Sequence, residues 1–155
     1  MKIGGKEPKS KSEFEHIVFR RTPIEDSIVF KIQSVKNFEE FHALAPPPQP
    51  GKMRTPQGVV DDLEAPGYVE ARNRQDLLRG QYVLIKSLEP SEIEWDKVKL
   101  EDPSSWQHAH AELSAILDDK EHAALIQRIH RANSLTEEML EAAANDFFAS
   151  QLSAA

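Results

Sequence analysis

Residues 102–130 read DPSSWQHAHAELSAILDDKEHAALIQRIH, and this stretch carries the clearest folding signals in the chain. Asp102 is suited to cap a helix that has Pro103 at its first position, where proline is well tolerated. Asp118 and Glu121 have the spacing of a capping box, which starts a second helix. A stripe at helical spacing runs through both segments and consists of Trp106, Ala109, His110, Leu113, Ile116 and Leu117, then Leu125, Ile126 and Ile129. The stretch therefore predicts two consecutive helices.

Two more helices are predicted on either side of this pair. Residues 66–88 begin with Pro66 in the first turn. Ser134 and Glu137 form another capping box, and the helix after them carries Leu140, Ala143, Ala144, Phe147 and Phe148. Residues 145–155 end in small and polar types and are predicted to fray as a tail. Short connections imply antiparallel neighbours, so residues 66–155 are predicted to form a helical domain of about four helices.

The N-terminal part of the chain has a different pattern. Residues 16–20 and 27–33 are rich in β-branched and aromatic side chains, and a turn-type segment separates them. Alternation places Ile28, Phe30 and Ile32 on one face. Two strands alone are marginally stable, so we expect this hairpin to pack against other elements, including a short helix over residues 38–44. Residues 1–45 are thus predicted as a β-hairpin unit, and the fold class as α+β.

Prolines mark the boundary between these two parts. Residues 46–51 read PPPQPG, and Pro56 and Gly58 follow. Such a segment does not continue a helix or a central strand, which predicts a linker or loop over residues 46–65. It contains one PxxP match, Pro47 to Pro50. An alternative interpretation of this segment is therefore a peptide that docks in an SH3-like groove.

Composition argues against several classes of protein. The 155 residues include no cysteine, which removes disulfides and cysteine nucleophiles. No apolar run approaches the roughly 20 residues of a membrane-spanning helix, and no signal peptide is predicted at the N-terminus. The net charge is −7, and residues 59–155 alone hold nine Lys/Arg and nineteen Asp/Glu. The negative charge of residues 59–155 opposes the binding of phosphate groups, so no nucleic-acid partner is predicted. Together with the absence of an apolar run and of a signal peptide, this predicts a cytoplasmic protein without a membrane partner.

Catalytic and metal-binding patterns are not evident in the sequence. His108 and His110 project from different sides of their helix, and His122 and His130 lie too far apart along theirs to share a metal. Spacing along one helix does not decide whether histidines from different helices lie next to each other in the fold. Many carboxylates are placed to cap helices, which explains them without a catalytic role. The sequence contains no phosphate-binding loop and no nucleophile-elbow motif. We therefore predict a non-enzymatic protein without catalytic residues, cofactor or metal.

Apolar surface on the predicted helices is the remaining candidate for a functional site. Residues 77–88 present an apolar arc wider than one partner helix covers, and Phe147 and Phe148 are adjacent in sequence. One explanation is a helix packed between two others. The other is that part of this surface receives a protein partner, for which the candidate contact residues are Leu77, Leu84, Leu88, Phe147 and Phe148.

The order of several segments resembles a known family. The chain opens with MKIGGK and reaches FHALAPPP at residues 41–48, then IKSLEP at 85–90 and IEW at 93–95. LEDPSSW at residues 100–106 and RIHRANSL at 128–135 complete the series. This order resembles the tail assembly chaperones of long, non-contractile-tailed phages, which are encoded near the tape measure protein.

The resemblance implies a helper that keeps the apolar, helical tape measure protein dispersed while tail tube subunits assemble, and that leaves before the virion is complete. It implies a location in the host cytoplasm and absence from the mature virion. The tape measure protein is the expected partner, and tail tube subunits and a second copy of the chain are further candidates. The alternatives are a structural virion or tail accessory protein and a small protein-binding adaptor. Whether a frameshifted longer form exists is left open.

Overall fold

A computed structural model describes residues 1–7, 14–134 and 137–153 and shows an α+β fold, as predicted. Two hairpins, separated by one short helix, lie in the N-terminal half of the chain: β1 (Glu15–Phe19) with β2 (Ile28–Ile32), and β3 (Gly51–Thr55) with β4 (Gly58–Asp62). The helices are α1 (Glu39–Leu44), α2 (Pro66–Ser87), α3 (Ala109–Ser114), α4 (Asp119–Asn133) and α5 (Glu137–Ser153). Short 3₁₀ helices span Ile24–Asp26, Glu89–Ser91 and Pro103–His108. Among the described residues, none of the helices combines the length and apolar character needed to cross a membrane.

The hairpin β1–β2 lies with one face on the core. Its register pairs Ile17 with Phe30, so alternate residues of β2 point inwards. Phe30 and Ile32 are buried, whereas Val29 on the opposite face is half exposed. This alternation confirms the predicted apolar face. The outer edge of β2 is partly covered, because the hydroxyl of Ser91 accepts from the backbone N–H of Lys31 and donates to its carbonyl.

One aromatic cluster forms the centre of the core. Trp106 is fully buried, and its ring centroid lies 5.6 Å from that of Tyr82 and 6.2 Å from that of Phe41. The indole Nε1 donates to the carbonyl oxygens of Lys99 and Leu100, which satisfies its one polar atom. The core includes side chains from the hairpin and from α1 through α4. The predicted N-terminal unit and helical domain therefore share a single core.

Polar contacts fix the hairpin to the helices. The Asn133 side chain, at the end of α4, accepts from the N–H of Val35 and donates to the buried hydroxyl of Ser87. At the other end of α4, Arg21 donates to both carboxylate oxygens of Glu121, at 2.7 and 2.8 Å. A planar guanidinium matches a carboxylate in this two-bond geometry, which fixes orientation as well as distance.

Two of the predicted helix starts are confirmed. The Asp102 carboxylate accepts from the N–H of Ser104, and Pro103 follows at the first position. Asp118 and Glu121 form the predicted capping box at α4. The box predicted at Ser134 and Glu137 spans residues 135–136, which lie outside the described residues. The predicted tail at 145–155 is wrong as far as Ser153, because α5 continues to that residue.

The segment predicted as a linker contains an ordered hairpin. Residues 51–62, within the predicted linker 46–65, form β3 and β4, joined by a two-residue turn at Pro56-Gln57. Gly58 closes that turn at φ 125°, a conformation that strongly favours glycine. The described residues of both strands are all exposed or half-buried, so this hairpin lies outside the core.

Candidate protein-binding surface

The five candidate contact residues divide into two groups. Leu77, Phe147 and Phe148 are exposed over 63%, 58% and 63% of their surface. Leu84 and Leu88 lie in the core instead, at 3% and 1% exposure, which corrects their predicted place on the contact surface. The second half of α2 is enclosed by α3, α4 and the neighbouring 3₁₀ helices, so its wide apolar arc serves several internal neighbours.

The apolar surface on α5 is larger than predicted. The rings of Phe147 and Phe148 lie edge to face, with centroids 5.5 Å apart. Leu152 is 80% exposed, and together with Ala144 and Phe148 it forms a row at four-residue spacing along one face of the helix. Leu152 was not among the predicted contact residues, because the end of residues 145–155 is dominated by small and polar types. The i, i+4 spacing of Phe148 and Leu152 was the available signal.

A groove lies between α2 and α4 and has a volume of about 670 Å³. We call it the α2–α4 groove. Its apolar lining comes from both helices and from the segment before α1, and includes Val35, Phe38, Leu77, Val83, Leu84, Ile126 and Ile129. Leu77 is mostly exposed and forms part of the rim, whereas Leu84 and Ile129 form the buried floor. A concave apolar surface of this size suits a helix or a peptide segment.

The rim of the α2–α4 groove carries charges of both signs. Arg79, His110 and His130 line it together with one carboxylate, Asp76. The Arg79 guanidinium lies 4.5 Å from the centroid of the Phe38 ring, a cation–π contact that places its charge at the groove edge.

A second groove of about 580 Å³ lies between β2 and α3. Its apolar lining includes Val29, Trp95, Leu113 and Ile116. Its loop wall is held by Glu112, whose carboxylate accepts from the N–H of Asp96. Because Ser91 already bonds the edge of β2 at Lys31, only a short stretch of strand edge remains for a partner here.

Two histidines from neighbouring helices meet. Nδ1 of His110 in α3 lies 3.2 Å from Nε2 of His122 in α4, a contact that spacing along one helix does not reveal. One neutral ring donates to the other in this arrangement. Burial, followed by the neighbouring His122, lowers the pKa of His110. Among the described residues, no group of three or more histidines and carboxylates is arranged to hold a metal ion.

The PxxP match lies between α1 and β3. Pro47 is exposed and Pro50 is half-buried, and the segment that contains them is neither helix nor strand. Near it, the carbonyl oxygen of Ala45 accepts from the side chain of Gln75 in α2. The loop is thus anchored to α2 at its start.

Comparison of the chain with protein-family models, with curated proteins and with solved structures finds no match. The function is therefore inferred from the residues described above.

Proposed function

We propose that this protein is a non-enzymatic assembly chaperone that holds an apolar helical partner, and that the partner is the phage tape measure protein implied by the resemblance in sequence. One observation supports the holding role: Leu77, Phe147, Phe148 and Leu152 are exposed although the aromatic core is complete without them. Exposed large apolar side chains that cluster on helices are typical of protein contact surfaces.

The energetics suit a transient holder. Burying one Leu or Phe side chain contributes about 1.5–3 kcal/mol, and ordering of the two partners offsets part of this gain. A few such contacts hold a helical segment and still allow release when a competing surface, such as an assembling tube, covers the partner. The net charge of −7 keeps the complex dispersed through mutual repulsion.

Co-expression with the proposed partner, a phage tape measure protein, tests the proposal. We expect the chain to move that protein from the pellet into the supernatant, and the Phe147→Ala/Phe148→Ala variant to lose most of this effect. Val59→Ala/Val60→Ala is the matched control, because these residues are also exposed apolar side chains but lie on the β3–β4 hairpin. Equal rescue by both variants would reject α5 as the contact surface.

Mass spectrometry of purified phage particles tests the chaperone role separately. A chaperone leaves before maturation, so we expect the chain to be present far below tail-protein stoichiometry. Stoichiometric amounts in the particle would instead identify a structural tail component.

A further inference from the structure

The outer edge of β2 is covered along its second half and open at Val29. Lys31 bonds Ser91 through both its N–H and its carbonyl, and the N–H of Gln33 donates to the carbonyl oxygen of Ser87. In an antiparallel pair, the backbone groups of alternate residues face the partner strand, so those of Lys31 and Gln33 face away from β1. Val29 precedes Lys31 by two residues, and its N–H and carbonyl therefore face outwards too. Neither group has a hydrogen-bond partner in the described part of the chain. Such an edge is a template for another extended backbone.

The open edge lies in the groove of about 580 Å³ between β2 and α3. Val29 and Ile116, on opposite walls of this groove, are 50% and 53% exposed. Side chains of an added strand alternate between the two faces of the sheet. The residues on either side of the one paired with Val29 would share the face of Phe30, which also lines the groove together with Leu113 of α3. The groove thus offers backbone pairing and apolar space to the same extended segment.

The charged side chains of the groove lining favour a basic occupant. Three carboxylates, Glu94, Asp96 and Glu112, face one lysine, Lys97, so the lining keeps an excess of negative charge even when its one histidine, His108, is protonated. Glu112 accepts from the backbone N–H groups of Asp96 and Lys97. The carboxylates of Glu94 and Asp96 are exposed and form no ion pair with the described residues. Cations on the ligand would complement them, whereas a second copy of the chain paired at the same edge would bring like charges together.

We propose that the groove between β2 and α3 binds a short, extended, basic segment of another protein, which adds as a strand to β2 at Val29. The segment has apolar side chains next to the residue that pairs with Val29, and Lys or Arg beyond them to meet Glu94 and Asp96. This inference goes beyond the function proposed above and does not depend on it. The ligand is extended, not helical, and its site does not include the exposed residues of α5.

NMR titration of the full chain with the synthetic peptide acetyl-Lys-Val-Thr-Val-Lys-amide tests the proposal. We expect saturable binding that shifts the amide signal of Val29 and slows its hydrogen exchange at least about tenfold. The charge-reversed peptide acetyl-Glu-Val-Thr-Val-Glu-amide should bind at least about tenfold more weakly, and so should the basic peptide with an N-methylated threonine, which lacks the donor for the carbonyl of Val29. Binding that does not saturate by about 5 mM, equal affinity for the three peptides, or an unchanged Val29 amide would overturn the proposal.

Two double variants locate the charges that select the peptide. Glu94→Gln/Asp96→Asn should raise the dissociation constant of the basic peptide at least about threefold, because it removes the two unpaired carboxylates. Glu64→Gln/Glu70→Gln makes the same change in net charge at exposed residues outside the groove, and should bind like the wild type. Equal effects of both variants would overturn the proposed contact. Exchange at Val29 that slows with protein concentration, without peptide, would also overturn it and assign the edge to a second copy.

Discussion

The two β-hairpins of this protein have the same size and pairing but different surroundings. Each consists of two five-residue antiparallel strands. In β1–β2, Phe19, Phe30 and Ile32 are buried and the turn is tied to α4 by the pair of Arg21 and Glu121. In β3–β4 every described residue is exposed or half-buried, and its ion pair between Lys52 and Asp61 stays within the hairpin. A two-stranded hairpin of this length therefore gains its stability from the elements that pack on one of its faces, not from the hydrogen bonds between its strands.

Hydrogen exchange should show the largest difference between the hairpins. The amides that pair β1 with β2 should exchange only on global unfolding, because the core must open to expose them. The amides that pair β3 with β4 should exchange through local opening, at least about a thousandfold faster relative to their intrinsic rates. Native-state exchange followed by NMR measures both sets at once. Equal protection would show that the second hairpin is covered in solution.

Truncating one apolar side chain in each hairpin should have unequal effects on the free energy of unfolding. Phe30→Ala removes a buried ring that packs on Phe19 at 6.1 Å, and we expect a loss of about 3–5 kcal/mol. Val60→Ala should change the value by no more than about 0.5 kcal/mol, because Val60 is 42% exposed and outside the core. Urea denaturation gives both numbers. A loss above 1 kcal/mol for Val60→Ala would contradict the comparison.

Removing one hydroxyl from each region should give a smaller difference. Ser91→Ala deprives the edge of β2 of both bonds at Lys31, which should cost about 1 kcal/mol. Thr55→Ala removes the bond from its hydroxyl to the carbonyl of Gly58 in the exposed turn, and should cost less than about 0.5 kcal/mol. The same denaturation experiment compares them, and a reversed order would indicate that the edge of β2 needs no partner at Ser91.

The ion pair between Arg21 and Glu121 should make the stability of the protein depend on acid. The hydrogen bonds from Arg21, aided by the backbone N–H of Asp118, lower the pKa of Glu121 below its ordinary value of 4.5. A lowered pKa means that the stabilisation is complete above about pH 4.5 and is lost as the pH falls through the folded-state pKa. We therefore expect Glu121→Gln to flatten the fall in stability below pH 4.5. Thermal unfolding across pH 3–6 measures the slope, and parallel curves for wild type and Glu121→Gln would contradict this role.

Sequence alone predicted the elements whose signals are local. The cap at Asp102, the box at Asp118 and Glu121, and the apolar face of β2 all depend on neighbours within a few residues, and all are present. The hairpin β3–β4 was missed because its prolines suggested a linker. The available signal was the β-branched pair Val59-Val60, preceded by glycine at position 58 after Pro56-Gln57.

The binding surface was harder to predict than the fold. Helical periodicity shows which residues share a face, but not how many neighbours cover that face. Leu77 and Leu84 therefore look alike in sequence, although one lies on the groove rim and the other on its floor. The meeting of His110 with His122 depends on the packing of α3 against α4, which no spacing within one helix encodes.

The long-range contacts of β1–β2 also bear on how the chain is synthesised. Arg21 is 100 residues from Glu121, and Val35 is 98 residues from Asn133. At about 5–20 residues per second, a ribosome needs roughly 5–20 s to deliver the second member of each pair after the first. During that interval the hairpin lacks the cover and the polar contacts that α4 provides. Slower translation therefore lengthens the time for which the hairpin waits for α4.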